Sequence, residues 1–292
     1  MYDIEKIVTT TSIPEALAAL AADEKAVVIA GGSDVLIKIR EGKLAGCSLV
    51  SIHGIGSLKG VAMEADGTIA IGPGNTFSEV TEHPLIQKHL PALGEAVDQA
   101  GGPQLRNIGT IGGNICNGVT SADSAPMLVA LNAQLEITSL AGVRRVRMED
   151  FYAGPGKVHL AHGELLTRIL IPKEDYEGFS GHYIKYAMRN AMDIATLGCA
   201  VHVRMEAGKI ADVRLAFGVA GPVPMRCRAA EEAVTGREAD GETLKLFGQT
   251  ALGEVNPRTS WRASKEFRQQ LVRELPGRAL AQAIINGGGE AK

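Results

Sequence analysis

Residues 105–126 read LRNIGTIGGNICNGVTSADSAP, a polar and glycine-rich stretch between two segments of regular pattern. Connections of this length within a compact domain are usually functional or disordered. Because the stretch contains isoleucine and valine, disorder is disfavoured and a functional loop is predicted. A shorter glycine-rich segment, AGGSD at residues 30–34, lies between an apolar run of strand type and a helix predicted to end near Gly42.

Both glycine-rich segments have the composition of diphosphate-binding turns. Backbone N–H groups at turns and helix N-termini bind phosphate oxygens, and glycine lets the chain approach them closely. Neither segment has the spacing of a classical dinucleotide fold or of a Walker A loop. Residues 30–34 are alternatively a tight structural turn, whereas residues 109–114 have further polar groups nearby at Thr110, Asn114 and Asp123. The pattern alone therefore leaves a nucleotide site and a pair of turns both open.

Outside these loops, hydrophobic periodicity predicts an α+β protein without internal repeats. Ser12 is a plausible N-cap for the first helix, and Ala207–Gly208 has the composition of a hairpin turn. Helices are predicted over residues 12–22, 35–42, 78–100 (broken at Pro84 and Pro91), 126–133, 226–251 and 261–286, and strands over residues 25–30, 49–55, 67–74, 134–148 and 164–172. From about residue 178, alternating strands and then helices predict a second α+β domain.

Composition and charge exclude several functional classes. The formal net charge of -3 gives no basic footprint for nucleic acid, and no apolar run is long enough to span a membrane. The amino-terminal residues lack the apolar core of a secretory signal, so a cytoplasmic protein is predicted. His159 and His162 have a metal-like spacing in glycine-containing, strand-like surroundings, so no metal site is predicted. The cysteines are too scattered for an iron–sulfur cluster: Cys47, Cys116, Cys199 and Cys227.

Five segments in the same order across nearly the whole chain resemble the flavin subunits of molybdenum hydroxylases: residues 30–34, 105–131, 165–172, 184–195 and 261–268. Those subunits have a vanillyl-alcohol-oxidase (PCMH-type) FAD-binding fold. NGVTSADSAP (117–126) and PRTSWRASKEFR (257–268) look closest to bacterial xanthine dehydrogenase flavin subunits.

The resemblance implies a domain organisation. A two-part FAD-binding domain is expected over residues 1–176, with its parts at about 1–55 and 56–176. A smaller α+β C-terminal domain is expected over residues 177–286, followed by a flexible tail at 287–292.

The resemblance also implies an FAD site on the two glycine-rich loops, with backbone amides and Ser33 holding the pyrophosphate. The implied cofactor-binding residues are Val28, Ile29, Ala30, Gly31, Gly32, Ser33, Asp34, Thr110, Gly112, Gly113, Asn114, Asp123, Leu166 and Lys185. No catalytic nucleophile or general base is implied on this chain, and no metal ligand.

Three of these residues have a structural alternative. Asp123 is expected to accept hydrogen bonds from ribityl or ribose hydroxyls, or else to cap the helix that follows it. Leu166 is expected to bring its backbone near the adenine or flavin, or else to be a core residue. Lys185 is expected near the flavin, or else on a solvated strand face. Where related animal enzymes have an aromatic ring this chain has Ala100, so stacking is assigned to Tyr186 or Ile115.

The implied function is electron relay. FAD on this chain would take electrons from partner [2Fe-2S] clusters and pass them to NAD. A molybdenum-cofactor subunit and a [2Fe-2S] subunit are the implied partners, in a heterotrimer that pairs into a dimer. The alternatives are a flavin subunit for another substrate (an aldehyde, nicotinate or carbon monoxide), a stand-alone flavin oxidoreductase, or a non-redox nucleotide-binding module. The amphipathic pattern that begins at Trp261 is assigned to internal packing or to a partner surface.

Overall fold

The first sheet is parallel and small. In the computed structural model, which describes residues 2–291, strands β1 (Ile4–Thr9), β2 (Ala26–Ile29) and β3 (Cys47–Ser51) lie in the order β1-β3-β2. Helix α1 (Ile13–Ala21) follows β1, and α2 (Val35–Arg40) follows β2. The predicted cap is confirmed, since the Ser12 hydroxyl accepts the Glu15 N–H. The strand predicted over residues 49–55 ends at Ser51, where the chain enters a turn.

The second sheet is antiparallel and contains a hairpin that turns at Leu140–Ala141. Its strands β4 (Val61–Met63), β5 (Ile69–Ile71), β6 (Gln134–Ser139), β7 (Gly142–Arg147) and β10 (Leu165–Ile171) lie in the order β4-β5-β10-β6-β7. A ribbon of two short strands, β8 (Tyr152–Gly154) and β9 (Lys157–Val158), precedes β10. Leu165 packs with the core of the first sheet and Leu166 with that of the second, so β10 joins the two.

Six short helices lie between β5 and β6. They are α3 (Phe77–Glu82), α4 (Pro84–His89), α5 (Pro91–Asp98), α6 (Pro103–Arg106), α7 (Ile111–Cys116) and α8 (Ser124–Ala130). The predicted breaks at Pro84 and Pro91 are confirmed, because each proline occupies a first helical turn, where its missing N–H costs nothing.

The prediction of one continuous loop over residues 105–126 is wrong. Residues 111–116 form α7, although two of them are glycines with low helix propensity. The Thr110 hydroxyl caps α7 by accepting the Gly113 N–H, and the Gly112 N–H donates to Pro73 O. Contacts with a distant part of the chain therefore override the local preference.

The C-terminal sheet is antiparallel, with strands β11 (Ser180–Tyr186), β12 (Leu197–Glu206), β13 (Lys209–Gly218) and β14 (Met225–Arg226) in that order. The predicted turn at Ala207–Gly208 is confirmed, and both residues have positive φ as a two-residue hairpin requires. Helices α9 (Arg228–Val234), α10 (Gly241–Ala251) and α11 (Lys265–Asn286) follow. Helix α11 therefore begins four residues after Trp261, which lies outside it.

The C-terminal sheet is covered on both faces. Cys199, Val201 and Val203 of β12 pack in one core with α10 and α11, whereas Ala200 packs in the other core with residues of α5 and α8. This alternation follows from the two-residue period of a strand. Helices α5 and α8 precede the sheet in sequence by many residues, yet they supply one of its two covering layers.

No described helix, across residues 2–291, has the length and apolar composition needed to cross a bilayer. Within the same residues, no cluster of three or more His, Cys, Asp or Glu side chains is placed to hold a metal ion.

A buried polar cluster joins the turn that follows β10 to the C-terminal sheet. The His202 Nε2 atom lies 3.0 Å from Asp175 O, and its ring stacks on Phe179 with centroids 4.7 Å apart. Arg214 pairs with the Asp175 carboxylate at 2.8 Å. Burial, together with the positive charge of Arg214, lowers the pKa of His202 from 6.5 to about 3.

This buried histidine makes stability depend on acidity. In the unfolded chain His202 takes up a proton below its ordinary pKa, and in the folded chain it does not. The free energy of unfolding should therefore fall by about 1.4 kcal/mol per pH unit through this group as the pH drops below that ordinary pKa. In His202→Gln, we expect the loss of stability between pH 7.5 and pH 5 to be about 2 kcal/mol smaller than in the wild type.

Urea unfolding at the two pH values measures the difference. His182→Gln is the matched control, because His182 is a partly exposed histidine of the neighbouring strand. An equal acid dependence in the wild type and in His202→Gln would contradict this role of the buried ring.

Candidate functional site

The two glycine-rich loops meet backbone to backbone. A Cβ atom on Gly31 would lie 2.0 Å from Ile108 O and 3.1 Å from Gly109 Cα. Only a residue without a side chain fits at that distance. The chain around residues 30–34 thus lies directly against the chain that leads into α7.

The first loop presents a row of free backbone donors. Within residues 2–291, the N–H groups of residues 31–35 make no hydrogen bond to a protein acceptor, and the Ser33 hydroxyl makes none either. Gly32 has a φ of +75°, a conformation that favours glycine. Successive free N–H groups at such a turn form a concave site for an anion.

The residues that precede this turn hold it in place. Val28 and Ile29 pair in register with Val50 and Ser51 of β3, and Ala30 follows at the end of the strand. Asp34 occupies the N-cap position of α2 and its side chain makes no capping hydrogen bond. Of the seven predicted residues in this segment, the strand residues thus act as the support and residues 31–34 supply the free polar groups.

The second loop is built differently from the first. The N–H groups of Ile111 and Gly112 donate to Asn75 O and Pro73 O, at 3.0 and 2.9 Å, so they are not free for a ligand. A Cβ on Gly112 would lie 2.5 Å from Pro73 Cβ, which makes this glycine a packing requirement. Gly113 is exposed, and a Cβ there would meet only the Thr110 hydroxyl. Gly113 is therefore the point at which a ligand can approach the second loop closely.

Asn114 links α7 to the start of α8. Its Oδ1 atom accepts hydrogen bonds from the hydroxyl and N–H of Ser124, at 2.6 and 3.4 Å. A second link runs from α2, where Lys38 Nζ lies 2.5 Å from Asn117 Oδ1. Both links fix the polar chain between α7 and α8 relative to the two loops.

Asp123 does not cap α8, so that alternative is wrong. Its carboxylate turns instead toward β11, where Oδ1 accepts from the Tyr183 hydroxyl at 3.0 Å and Oδ2 from Lys185 Nζ at 2.8 Å. Burial raises the pKa of Asp123, and the neighbouring Lys185 charge and Tyr183 hydroxyl oppose that shift. The buried carboxylate is thus held by two donors from one strand.

Lys185 is not a solvated strand lysine. Only 7% of its side chain is exposed, and its ammonium donates to Gln99 O at 2.8 Å as well as to Asp123. An ammonium has three N–H donors, so one remains available. The structure therefore places a buried cation with free donor capacity beside the polar chain that follows α7.

Tyr183 is a member of this cluster that the sequence pattern did not single out. It is fully buried, and burial raises the pKa of its hydroxyl well above the ordinary value. Tyr183 and Lys185 are two apart on a strand, so their side chains share one face. The alternation in residues 182–186 (HYIKY) could therefore have indicated that Tyr183 lies beside Lys185.

Three predicted residues lie outside the cluster formed by Asp123, Tyr183 and Lys185. Leu166 is buried in the core and pairs in register with Ile137, so its cofactor contact stays a prediction. Ile115 has no exposed surface, so the prediction that it stacks on a flavin is wrong. Tyr186 is 37% exposed and meets Phe267 edge to face, with ring centroids 5.6 Å apart.

Sequence families match most of the chain. The family described as FAD binding domain in molybdopterin dehydrogenase matches residues 3–174, and the CO dehydrogenase flavoprotein C-terminal domain matches residues 182–283. A putative xanthine dehydrogenase FAD-binding subunit of Escherichia coli is 42% identical over 99% of both chains. A nicotinate dehydrogenase FAD-subunit of Eubacterium barkeri is 30% identical over 85% of this chain and 86% of its own.

Solved structures match the same fold. A carbon monoxide dehydrogenase structure from Hydrogenophaga pseudoflava superposes with a TM-score of 0.93 at 27% identity, covering 98% of this chain and 99% of the other. Quinoline 2-oxidoreductase from Pseudomonas putida superposes with a TM-score of 0.90 at 25% identity, covering 96% of each chain. The two-part α+β fold implied by the sequence is confirmed by these matches.

The open space at Gly113 leads to a test of the second loop. We expect Gly113→Val to fold normally, because residue 113 is exposed and an added Cβ would meet a single atom, the Thr110 hydroxyl oxygen at 2.9 Å. We expect it to lose FAD, since the branched side chain would occupy the point of close approach. Circular dichroism and visible absorbance per mole of purified protein measure the two properties.

Gly56→Val is the matched control, because a Cβ on Gly56 meets no atom within 4 Å and Gly56 has no positive φ. It should keep both its fold and its FAD. Stoichiometric FAD in folded Gly113→Val would remove the second loop from the site.

Proposed function

Since this chain belongs to the FAD-binding family of the molybdopterin dehydrogenases, we propose that it relays electrons from partner [2Fe-2S] clusters through FAD to NAD in a xanthine dehydrogenase-like complex. The single observation that supports the xanthine dehydrogenase assignment most is the 42% identity over 99% of both chains. Bound FAD supplies the conversion between single electrons and a transferred hydride.

The described residues fit FAD in three respects. The free N–H groups of residues 31–35 suit the pyrophosphate, because successive amides at a turn bind anions without a metal. The buried Asp123 carboxylate has acceptor capacity left for sugar hydroxyls. The remaining N–H of Lys185 would stabilise negative charge on a reduced flavin.

An exposed apolar surface supports assembly with partner subunits. Eight of the fifteen large exposed apolar side chains within residues 2–291 fall in three short segments, and we call them the apolar rim: Leu105, Ile108, Tyr186, Met188, Met192, Ile194, Trp261 and Phe267. Exposed apolar clusters of this kind mark interaction sites.

The segments of the apolar rim lie beside one another and beside the loops. A Cβ on Gly102 would be 3.2 Å from Met192 Cγ, which joins the second segment to the chain before Leu105. The Tyr186–Phe267 ring contact joins the second segment to the third. Ile108 belongs to the chain that touches Gly31. A partner docked on this rim would therefore stand next to the FAD site.

We assign the docking partners to a molybdenum-cofactor subunit and a [2Fe-2S] subunit, in a heterotrimer that pairs into a dimer. A hydroxylase for another substrate is the second candidate. It is favoured by relatives named for nicotinate and carbon monoxide, which match nearly the same span at 30% and 26% identity. The substrate would then be chosen on the molybdenum subunit, and this chain would do the same work.

The first experiment is to purify the complex from its native operon and to record its visible spectrum and subunit masses. We expect flavin and iron–sulfur absorbance, one large and one small partner, and xanthine-dependent reduction of NAD. Turnover with another substrate would select the second candidate. A colourless solitary chain that binds no added FAD would overturn the proposal.

The apolar rim leads to a separate prediction. Trp261 is 77% exposed, and the Arg262 guanidinium lies over its ring, 4.2 Å from the centroid. We expect Trp261→Ser to keep its thermal stability and FAD but to lose most of its partner subunits on size-exclusion chromatography. Leu140→Ser is the matched control, because Leu140 is 66% exposed at the β6–β7 turn, outside the rim. Equal recovery of partners with both variants would exclude Trp261 from the interface.

A further inference from the structure

We propose that Tyr183 is a positioning residue that aims the Asp123 carboxylate at the hydroxyl groups of FAD, and that Gly198 is the residue that makes room for it. This inference rests on the proposed function, because it assigns a role at the same site. Two donors on β11 orient one buried carboxylate, and the missing side chain at Gly198 of β12 leaves space for one of them.

The carboxylate is held at both oxygens and still has capacity to accept. Tyr183 donates to Oδ1 and Lys185 donates to Oδ2, at 3.0 and 2.8 Å. A carboxylate has about four acceptor positions on its two oxygens, so about two remain. Asp123 is only 7% exposed, so water does not reach it freely. A buried acceptor with unused positions, fixed in direction by two donors, is suited to the hydroxyls of a bound ligand.

The hydroxyl of Tyr183 depends on this contact as well. The side chain is fully buried in the core that α5 and α8 share with the sheet, and Asp123 is the hydrogen-bond partner of its hydroxyl. A buried hydroxyl without a partner is costly. The tyrosine and the aspartate therefore hold each other in one arrangement.

The backbone of Tyr183 is fixed too. β11 is an edge strand, and the Tyr183 N–H donates to Glu95 Oε2 of α5 at 3.1 Å. The same carboxylate oxygen lies 3.0 Å from His182 Nδ1. Glu95 thereby ties the edge of the sheet to α5, and the carbonyl of Gln99, the C-cap residue of α5, accepts from Lys185. Both residues that donate to Asp123 are thus also hydrogen-bonded to α5 or to its C-cap.

Gly198 explains how the tyrosine fits. It lies opposite Lys185 in the β11–β12 register, and a Cβ atom there would be 2.7 Å from the Tyr183 hydroxyl oxygen and 3.3 Å from Cε2. Its φ is not in the positive region, so the backbone itself does not require glycine. The requirement comes from the tyrosine ring, which crosses β12 at this point. A side chain at residue 198 would push the hydroxyl away from Asp123.

The surroundings predict how binding depends on pH. Burial raises the pKa of Asp123, while Lys185 and the Tyr183 hydroxyl favour its ionised form. Glu95 of α5 is the other charged group on this face, and its carboxylate accepts the Tyr183 N–H, whereas Cys199 points into the core on the opposite face of the sheet. Protonation of Asp123 would remove acceptor positions, so FAD affinity should fall as the pH is lowered toward its pKa. Loss of the Tyr183 hydroxyl would raise that pKa further, and the fall would begin at a higher pH.

The experiment measures FAD binding to the full chain after removal and re-addition of the cofactor, by quenching of flavin fluorescence between pH 5 and pH 8. We expect Tyr183→Phe to bind FAD about tenfold more weakly at neutral pH, the size of one hydrogen bond to a charged group. Its affinity should start to fall at a higher pH than in the wild type. Gly198→Ala should reproduce both changes, and the double variant should be no weaker than either single variant.

Tyr176→Phe is the matched control, because Tyr176 is also buried and its hydroxyl donates to the remote Gly67 O. It should shift stability without moving the pH profile of FAD binding. Tyr183→Phe with wild-type affinity and an unshifted profile, in a wild type that binds FAD, would overturn this inference alone. A wild-type chain that binds no FAD would overturn the proposed function as well.

Discussion

The organisation of the site depends on one buried ion pair between Asp123 and Lys185. Removing two charges from water costs several kcal/mol for each ion, and an apolar pair of the same volume is often as stable. The ion pair is therefore not expected to add much to the stability of the fold. It is better explained by position, because it joins the chain at the start of α8 to the edge strand of the C-terminal sheet. A hydrogen bond from Lys38 to Asn117 also ties the polar chain between α7 and α8 to α2, the helix that follows the glycine-rich turn after β2.

The two glycine-rich loops are suited to contact a ligand in different ways. The turn after β2 has unpaired N–H groups. At the start of α7, by contrast, the N–H groups are bonded to Pro73 O, Asn75 O and the hydroxyl of the N-cap Thr110. Gly31 and Gly112 are both required by backbone contacts, with Ile108 and Pro73 respectively. Two segments that look alike in composition thus have different roles, one electrostatic and one steric.

The sequence predicted what short-range constraints determine and missed what distant contacts determine. The Ser12 cap, the helix breaks at Pro84 and Pro91 and the turn at Ala207–Gly208 follow from neighbouring residues, and all were predicted. Helix α7 was missed because its stabilising partners lie near residue 73. Asp123 looked like a helix cap because its partners are 60 and 62 residues away. The site residues came from family resemblance, and no local rule would have separated Lys185 from a solvated lysine.

The C-terminal sheet shared with α5 and α8 has a consequence for recombination between relatives. Cutting the chain between β10 and β11 looks natural in sequence, but it would strip one covering layer from the sheet and leave the apolar faces of α5 and α8 uncovered. A chimaera that takes the C-terminal segment from another member must therefore also match the side chains of α5 and α8. The segments that must be exchanged together are the C-terminal sheet and the two helices α5 and α8, which are far from it in the sequence.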